Sequence, residues 1–146
     1  MCIRDSDNTV AHKIEAGADM FLMPSRYEPC GLNQIYSLRY GTVPVARATG
    51  GLDDTIESWD PVTAKGTGFK FSEHSGEALL ETVRAALGVF KDKPAWQKLM
   101  RNGMSRDFSW AVSAREYIKT YEKVHGNRGG PPAAAASLPK DSLLEL

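Results

Sequence analysis

Asp19-Met20-Phe21-Leu22-Met23-Pro24-Ser25-Arg26-Tyr27-Glu28-Pro29-Cys30-Gly31-Leu32-Asn33-Gln34 is the stretch on which the reading of this chain turns. It opens with a short apolar run, the pattern of a strand buried on both faces, and Pro24 stops that run. A loop carrying Glu28 and Gly31 follows, and 32–40 then suits a helix with Ile35, Leu38 and Tyr36 turned inward and Gly41 closing it. Strand, glycine loop and helix in that order are the first half of a βαβ unit.

Working outward, the pattern repeats. Upstream, Asp7 or Asn8 can cap a helix with Val10, Ala11 and Ile14 as its apolar positions, ended by Gly17. Downstream, Thr42-Val43-Pro44-Val45-Ala46 reads as a second strand, which Pro44 marks as irregular or near an edge. Thr49-Gly50-Gly51 makes another glycine loop before a short helix over 52–58. A polar loop over 60–68 leads to a last strand over 68–71. Three helices complete the chain. The first is capped by Ser75 and carries Leu79, Val83, Ala86, Leu87 and Phe90 on one stripe. The second has Pro94 in its first turn and bears Trp96, Leu99 and Met100. The third is capped by Ser109 and carries Trp110, Ala114, Tyr117, Ile118 and Tyr121.

Alternating strands and helices with short connections predict parallel strands, hence an α/β fold with an open Rossmann-like sheet. A complete doubly wound domain has about six strands, so three strands read as the second half of one, and the chain as a fragment. The predicted organisation is a non-native or unstructured leader over 1–6, a partial domain over 7–126, and a disordered low-complexity tail over 127–146.

Bulk properties narrow the function classes. With 146 residues, 42% hydrophobic and 25% charged, the chain has the makings of one domain with a core. A formal net charge of zero gives no electrostatic argument for nucleic acid or an anionic membrane as partner. Two cysteines, Cys2 and Cys30, supply neither a disulfide framework nor metal-ligand spacing. No apolar run approaches a membrane span, and no signal-peptide pattern is present. A reducing compartment, cytoplasmic or plastid-like, is the expectation.

The chemistry falls in two loops, 25–33 and 47–52, because ligands of open parallel sheets bind outside the carboxyl ends of the strands. The amides of Gly31, Leu32 and Asn33, backed by a helix dipole, form a candidate phosphate site. Glycine at 31 lets a ligand approach the backbone without a Cβ in the way. Glu28, an acceptor when ionised, suits sugar hydroxyls or a positive charge developing at an anomeric carbon. The alternative is that Glu28 pairs with Arg26 on the surface and the glycines simply turn the chain.

Residues 25–36, followed by Tyr40-Gly41-Thr42-Val43-Pro44 and Arg47-Ala48-Thr49-Gly50-Gly51-Leu52-Asp53-Asp54-Thr55, closely resemble bacterial glycogen synthase and plant starch synthase. Asp107-Phe108-Ser109-Trp110 with Tyr117 and Tyr121 resembles the end of those enzymes. The similarity runs from about residue 8 to about residue 125. It implies the nucleotide-sugar domain of a two-domain GT-B glycosyltransferase. The implied reaction transfers glucose from ADP-glucose to the non-reducing end of an α-1,4-glucan with retention of configuration, without a metal or other cofactor.

By the same resemblance, Glu28 matches the glutamate beside the donor glucose, as the catalytic group that holds sugar hydroxyls and stabilises an oxocarbenium-like transition state. Cys30, Gly31 and Leu32 match the loop lining the glucose. Asn33 and Gln34 lie where the helix would meet the diphosphate, and Thr49, Gly50 and Gly51 match the second glycine loop of the cleft. Many retaining enzymes of this fold carry a second glutamate eight positions after the first; here Tyr36 stands there, as in the glycogen and starch synthase variant. The family's arginine and lysine for the diphosphate, and its N-terminal acceptor domain, are not in this sequence. The last helix is expected to expose Tyr117, Ile118 and Tyr121, because it packs on that domain in the family. The chain alone is therefore expected to be inactive.

Two other readings stand beside this one: another retaining GT-B transferase with a different nucleotide sugar, which Tyr36 and the Glu-Pro-Cys-Gly-Leu run disfavour, and a non-catalytic nucleotide- or glucan-binding fragment. Cys30 has no neighbouring histidine in sequence and reads as a pocket-lining thiol rather than a nucleophile. Arg47 is expected either to reach the cleft or to form a structural ion pair. Trp96 and Trp110 fit packing stripes better than sugar stacking.

Overall fold

A computed structural model describes residues 7–126. The leader over 1–6 and the tail over 127–146 lie outside the described residues. The described chain falls into two units, one ending at Arg106 and the other beginning at Asp107.

In the first unit the order is α1 (Asn8–Gly17), β1 (Met20–Met23), α2 (Asn33–Tyr40), β2 (Val43–Arg47), α3 (Gly51–Thr55), β3 (Phe69–Phe71), α4 (Gly76–Lys91) and α5 (Lys93–Met104). The strands form one parallel sheet in the order β1-β2-β3, with Met20 opposite Val43 and Val45 opposite Phe69. This is the partial open α/β sheet expected of the second half of a GT-B nucleotide-sugar domain.

The pleat of β2 sends alternate side chains to opposite faces, and each face has its own core. Val43 and Val45 pack with Phe69 against Ala86 of α4 and Trp96 and Leu99 of α5. Ala46, on the other face, packs with Met23, Leu52 and Ile56. Burying a side chain the size of Leu99 contributes about 1.5–3 kcal/mol. Trp96 meets Phe90 edge-on, with ring centroids 5.1 Å apart, the arrangement favoured by the aromatic quadrupole.

Two helix starts are capped where the sequence places them, at Asp7 and Ser75, and Asp92 supplies a third cap. Asp7, Ser75 and Asp92 each accept from a backbone amide three residues on, and Gly41 ends α2 in the left-handed conformation. α3 is shorter than the span 52–58, because the chain leaves the helix at Ile56, whose side chain enters the core.

Four expectations about the core are corrected. Among the described residues β1 lies at the edge of the sheet and is not buried throughout: Met23 is buried while Leu22 is half exposed. β2, despite Pro44, is the central strand. The Val43 amide bonds Asp19 on the β1 side, so alternation puts the donor that proline lacks on the β3 side. There the paired register starts only at Val45 and Phe69. Gly68 accommodates the ring, since a Cβ on it would lie 2.9 Å from Pro44 Cγ.

Third, Leu87 on α4 is nearly half exposed, the stripe being centred instead on Ala86. Fourth, α1 turns Glu15 inward and leaves Ile14 exposed. The Thr42 hydroxyl, 2.5 Å from the Glu15 carbonyl and 3.0 Å from that of Ala18, fixes the last turn of α1 against the start of β2. Burial raises the Glu15 carboxyl above its ordinary range, although His12 pulls the other way. One carboxylate oxygen of Glu15 is buried without a hydrogen-bond partner.

The second unit holds α6 (Trp110–Gly126). Asp107 accepts from the Ser109 amide at 2.9 Å just before it, and that bond lowers the Asp107 carboxyl. No residue of α6 is buried, and Tyr117, Ile118 and Tyr121 are exposed as expected. Trp110 is exposed too, against the reading that makes it a core residue.

Candidate functional site

Parallel strands deliver all their carboxyl ends to one edge of the sheet. The connection 24–32 leaves β1 there, and 48–50 leaves β2. The first connection is open. Glu28 is half-buried, and among the described residues nothing hydrogen-bonds or pairs with its carboxylate, so the surface pair with Arg26 is not formed. Cys30 is an exposed free thiol, and Leu32 and Asn33 are exposed.

α2 starts without a side-chain cap, its N-cap residue being Leu32. Among the described residues the amides of Gly31, Leu32 and Asn33 have no protein acceptor. Uncapped donors and the positive end of the helix dipole together make a place for an anion.

The second connection has turned its groups inward. The Gly51 amide donates to the carbonyls of Glu28 and Pro29 at 3.1 and 3.2 Å. Its own carbonyl accepts from the Thr55 hydroxyl at 2.5 Å. Thr55 Oγ1, its proton so engaged, accepts in turn from Gln34 Nε2 at 3.3 Å. The same Nε2 donates to the carbonyls of Cys30 and Gly31 at 2.9 and 3.0 Å. These contacts close a ring: Glu28 and Pro29 to Gly51, Gly51 to Thr55, Thr55 to Gln34, and Gln34 back to Cys30 and Gly31.

Glycine is a packing requirement in this ring. A Cβ on Gly50 would strike the Glu28 carbonyl, and one on Gly51 would strike the Cys30 carbonyl and come within 2.7 Å of Cys30 Cα. At Gly31, with φ +66°, a Cβ would collide with the Gln34 side-chain oxygen. The glycine at 31 thus answers to the protein's own packing before any ligand arrives.

The structure therefore brings Glu28, Cys30, Gly31 and Gln34 together with Gly50 and Gly51, but not all in one role. Gln34 stands at the helix start where the resemblance puts it, with its side chain fully buried and bonded to the loop. The Gly51 amide is likewise engaged by the first loop. Thr49 contributes its carbonyl to the first turn of α3, accepting from Leu52 at 3.2 Å.

Thr55 was missed in the sequence, although a threonine four residues after Gly51 in a helix is placed to bond back to that carbonyl. Arg47 neither forms an ion pair nor stands free. It donates to Arg26 at 2.7 Å, to Ser25 at 3.5 Å and to Ser72 at 3.2 Å, tying the start of the first loop to the end of β3. Among the described residues no cluster of three or more His, Cys, Asp or Glu is placed to hold a metal ion. No described helix is long and apolar enough to cross a membrane.

A carboxylate, an uncapped helix start and two interlocked loops thus share this edge of an open α/β sheet. The family profile "Glycosyl transferases group 1" matches residues 4–103, and the chain belongs to that family. Within it the chain is similar to glycogen synthases. It is 74% identical over 126 residues to that of Koribacter versatilis, covering 86% of this chain and 26% of the relative. It is 62% identical over 118 residues to that of Anaeromyxobacter sp. strain K, covering 81% and 25%. The catalytic domain of starch synthase IV from Arabidopsis thaliana, solved bound to ADP and acarbose, superposes with a TM-score of 0.72 at 37% identity, covering 80% of this chain and 24% of that one. The chain spans about a quarter of the length of the curated relatives it matches.

Proposed function

We propose that this chain is the donor-side part of a glycogen or starch synthase, a retaining hexosyltransferase that moves glucose from ADP-glucose to the non-reducing end of an α-1,4-glucan. The observation that carries this reading is Glu28, half-buried and unpaired, set three to five residues before amides that have no protein acceptor. The relatives' names and the ADP and acarbose bound to the starch synthase relative support it.

In this mechanism the α2 N-terminus receives the diphosphate, where its dipole stabilises the charge that grows on the leaving group. The Glu28 carboxylate accepts from glucose hydroxyls and stabilises the positive charge developing at the anomeric carbon. Cys30 and Leu32 line the sugar. No metal takes part. The acceptor glucan is held by an N-terminal domain of the same enzyme, and the enzyme works in the cytoplasm, or in the plastid in a plant or alga.

Calorimetric titration of the chain with ADP and with maltooligosaccharide tests the reading. ADP binding is the expected result. Binding of the oligosaccharide alone would replace the donor site by a glucan-binding module. Radiolabelled glucose incorporation from ADP-glucose into glycogen is expected to be negligible for this chain, and appreciable turnover would refute the assignment of catalysis to two domains.

A further inference from the structure

We propose that Gln34 is a positioning residue of the donor loop, acting through the carbonyls of Cys30 and Gly31 and the hydroxyl of Thr55 rather than by touching the ligand. The inference rests on the donor-site reading of that loop. Gln34 is fully buried at the start of a helix whose neighbouring residues 32 and 33 are exposed. Burial of a carboxamide without partners is costly, so its place is explained by what it bonds.

Carbonyl oxygens accept only, which assigns the amide nitrogen to Cys30 and Gly31. That nitrogen reaches three acceptors, and the third, Thr55, passes the connection to Gly51 and so to the carbonyls of Glu28 and Pro29. The carbonyls of residues 28–31 are thus all engaged, those of Glu28 and Pro29 by the Gly51 amide and those of Cys30 and Gly31 by Gln34. With the Cys30 and Gly31 carbonyls drawn inward to Gln34, the following amides of the loop are left unclaimed by the protein. The remaining oxygen of Gln34 is buried without a partner, beside the place a Cβ on Gly31 would occupy.

The test compares Gln34→Met, which keeps length and removes both donors, with Thr55→Val and Thr55→Ser in the same chain. Two quantities are read: hydrogen exchange of the Gly51 amide, bonded to Glu28 and Pro29, and affinity for ADP-glucose by calorimetry. For Q34M we expect exchange at Gly51 to rise about tenfold while amides in α4 and α5 keep their protection, and ADP-glucose affinity to fall by a similar factor. T55V should give a smaller change in the same direction, and T55S should restore wild-type values.

Unchanged Gly51 exchange in Q34M, or a uniform rise across α4 and α5, would overturn the proposal, since the second result describes a merely structural residue. Local loosening with unchanged ADP-glucose affinity would overturn it as well. If the wild-type chain binds no ADP-glucose, the donor-site reading fails and the exchange arm alone decides whether Gln34 governs the loop.

Discussion

The two glycine loops at the sheet edge look alike as sequence and behave oppositely as structure. The loop after β1 keeps its chemical groups outward: the Glu28 carboxylate and the amides of residues 31–33 have no partner within the described protein. The loop after β2 turns its groups inward, with the Gly51 amide gripping the first loop and the Gly51 carbonyl engaged by Thr55 of its own helix. A loop that must present unsatisfied donors needs something else to hold its shape. Here the second loop, Gln34 and Arg47 do so. Glycine serves opposite ends in the two, permitting a left-handed turn at Gly31 and allowing backbone to touch backbone at Gly51.

Gly51→Ala should break this division most severely. Its Cβ would meet the Cys30 backbone, which cannot move aside as a side chain tip can. We expect a loss of about 3 kcal/mol, the upper end for overpacking, read as a lower urea midpoint with unchanged slope. Gly31→Ala should cost less, about 1–2 kcal/mol for a strained left-handed alanine, because the atom it strikes is the end of the Gln34 side chain. Equal losses at the two positions would erase the distinction between the loops.

Glu15→Gln extends the comparison to a buried polar group that no ring engages. It should stabilise the chain at neutral pH, because it removes the charge that burial disfavours. Because burial raises the Glu15 carboxyl, the folded chain binds that proton more readily than the unfolded one. Its contribution is present below the ordinary carboxylate range and is lost as pH rises through the raised value. The advantage of E15Q in thermal melts should therefore shrink as pH falls, and an advantage independent of pH would contradict the burial argument. Glu28→Gln should change stability least, within about 0.5 kcal/mol, as expected for an unpartnered group. It should weaken ADP-glucose binding severalfold and leave ADP binding unchanged, because its role is toward the sugar. A large loss of stability in E28Q would show that the carboxylate belongs to the scaffold.

Much of the fold was legible in the residues. Asp7, Ser75, Pro94 and Gly41 marked helix ends by capping chemistry that operates within one turn, and it works the same way in any fold. The misreadings have a common cause. Pro44 in a central strand, Glu15 facing inward and the exposed Leu22 each depend on which neighbour lies alongside, and neighbours are set by strand order. The open half of the site was readable because Glu28 and the helix start are local features. The closed half was not, since Gln34 and Thr55 are 21 positions apart and meet only when α3 folds back over the first loop.

By itself the sequence determined the alternation of strands and helices, their caps, and the presence of an acidic side chain before a helix start. These follow from hydrogen-bonding and steric limits acting over a few residues. Only the tertiary structure decided which glycine serves a ligand-facing loop and which serves a brace, and that Gln34 lies inside rather than at the edge. Those outcomes depend on the approach of backbones far apart along the chain, where a single Cβ or one buried amide settles what fits.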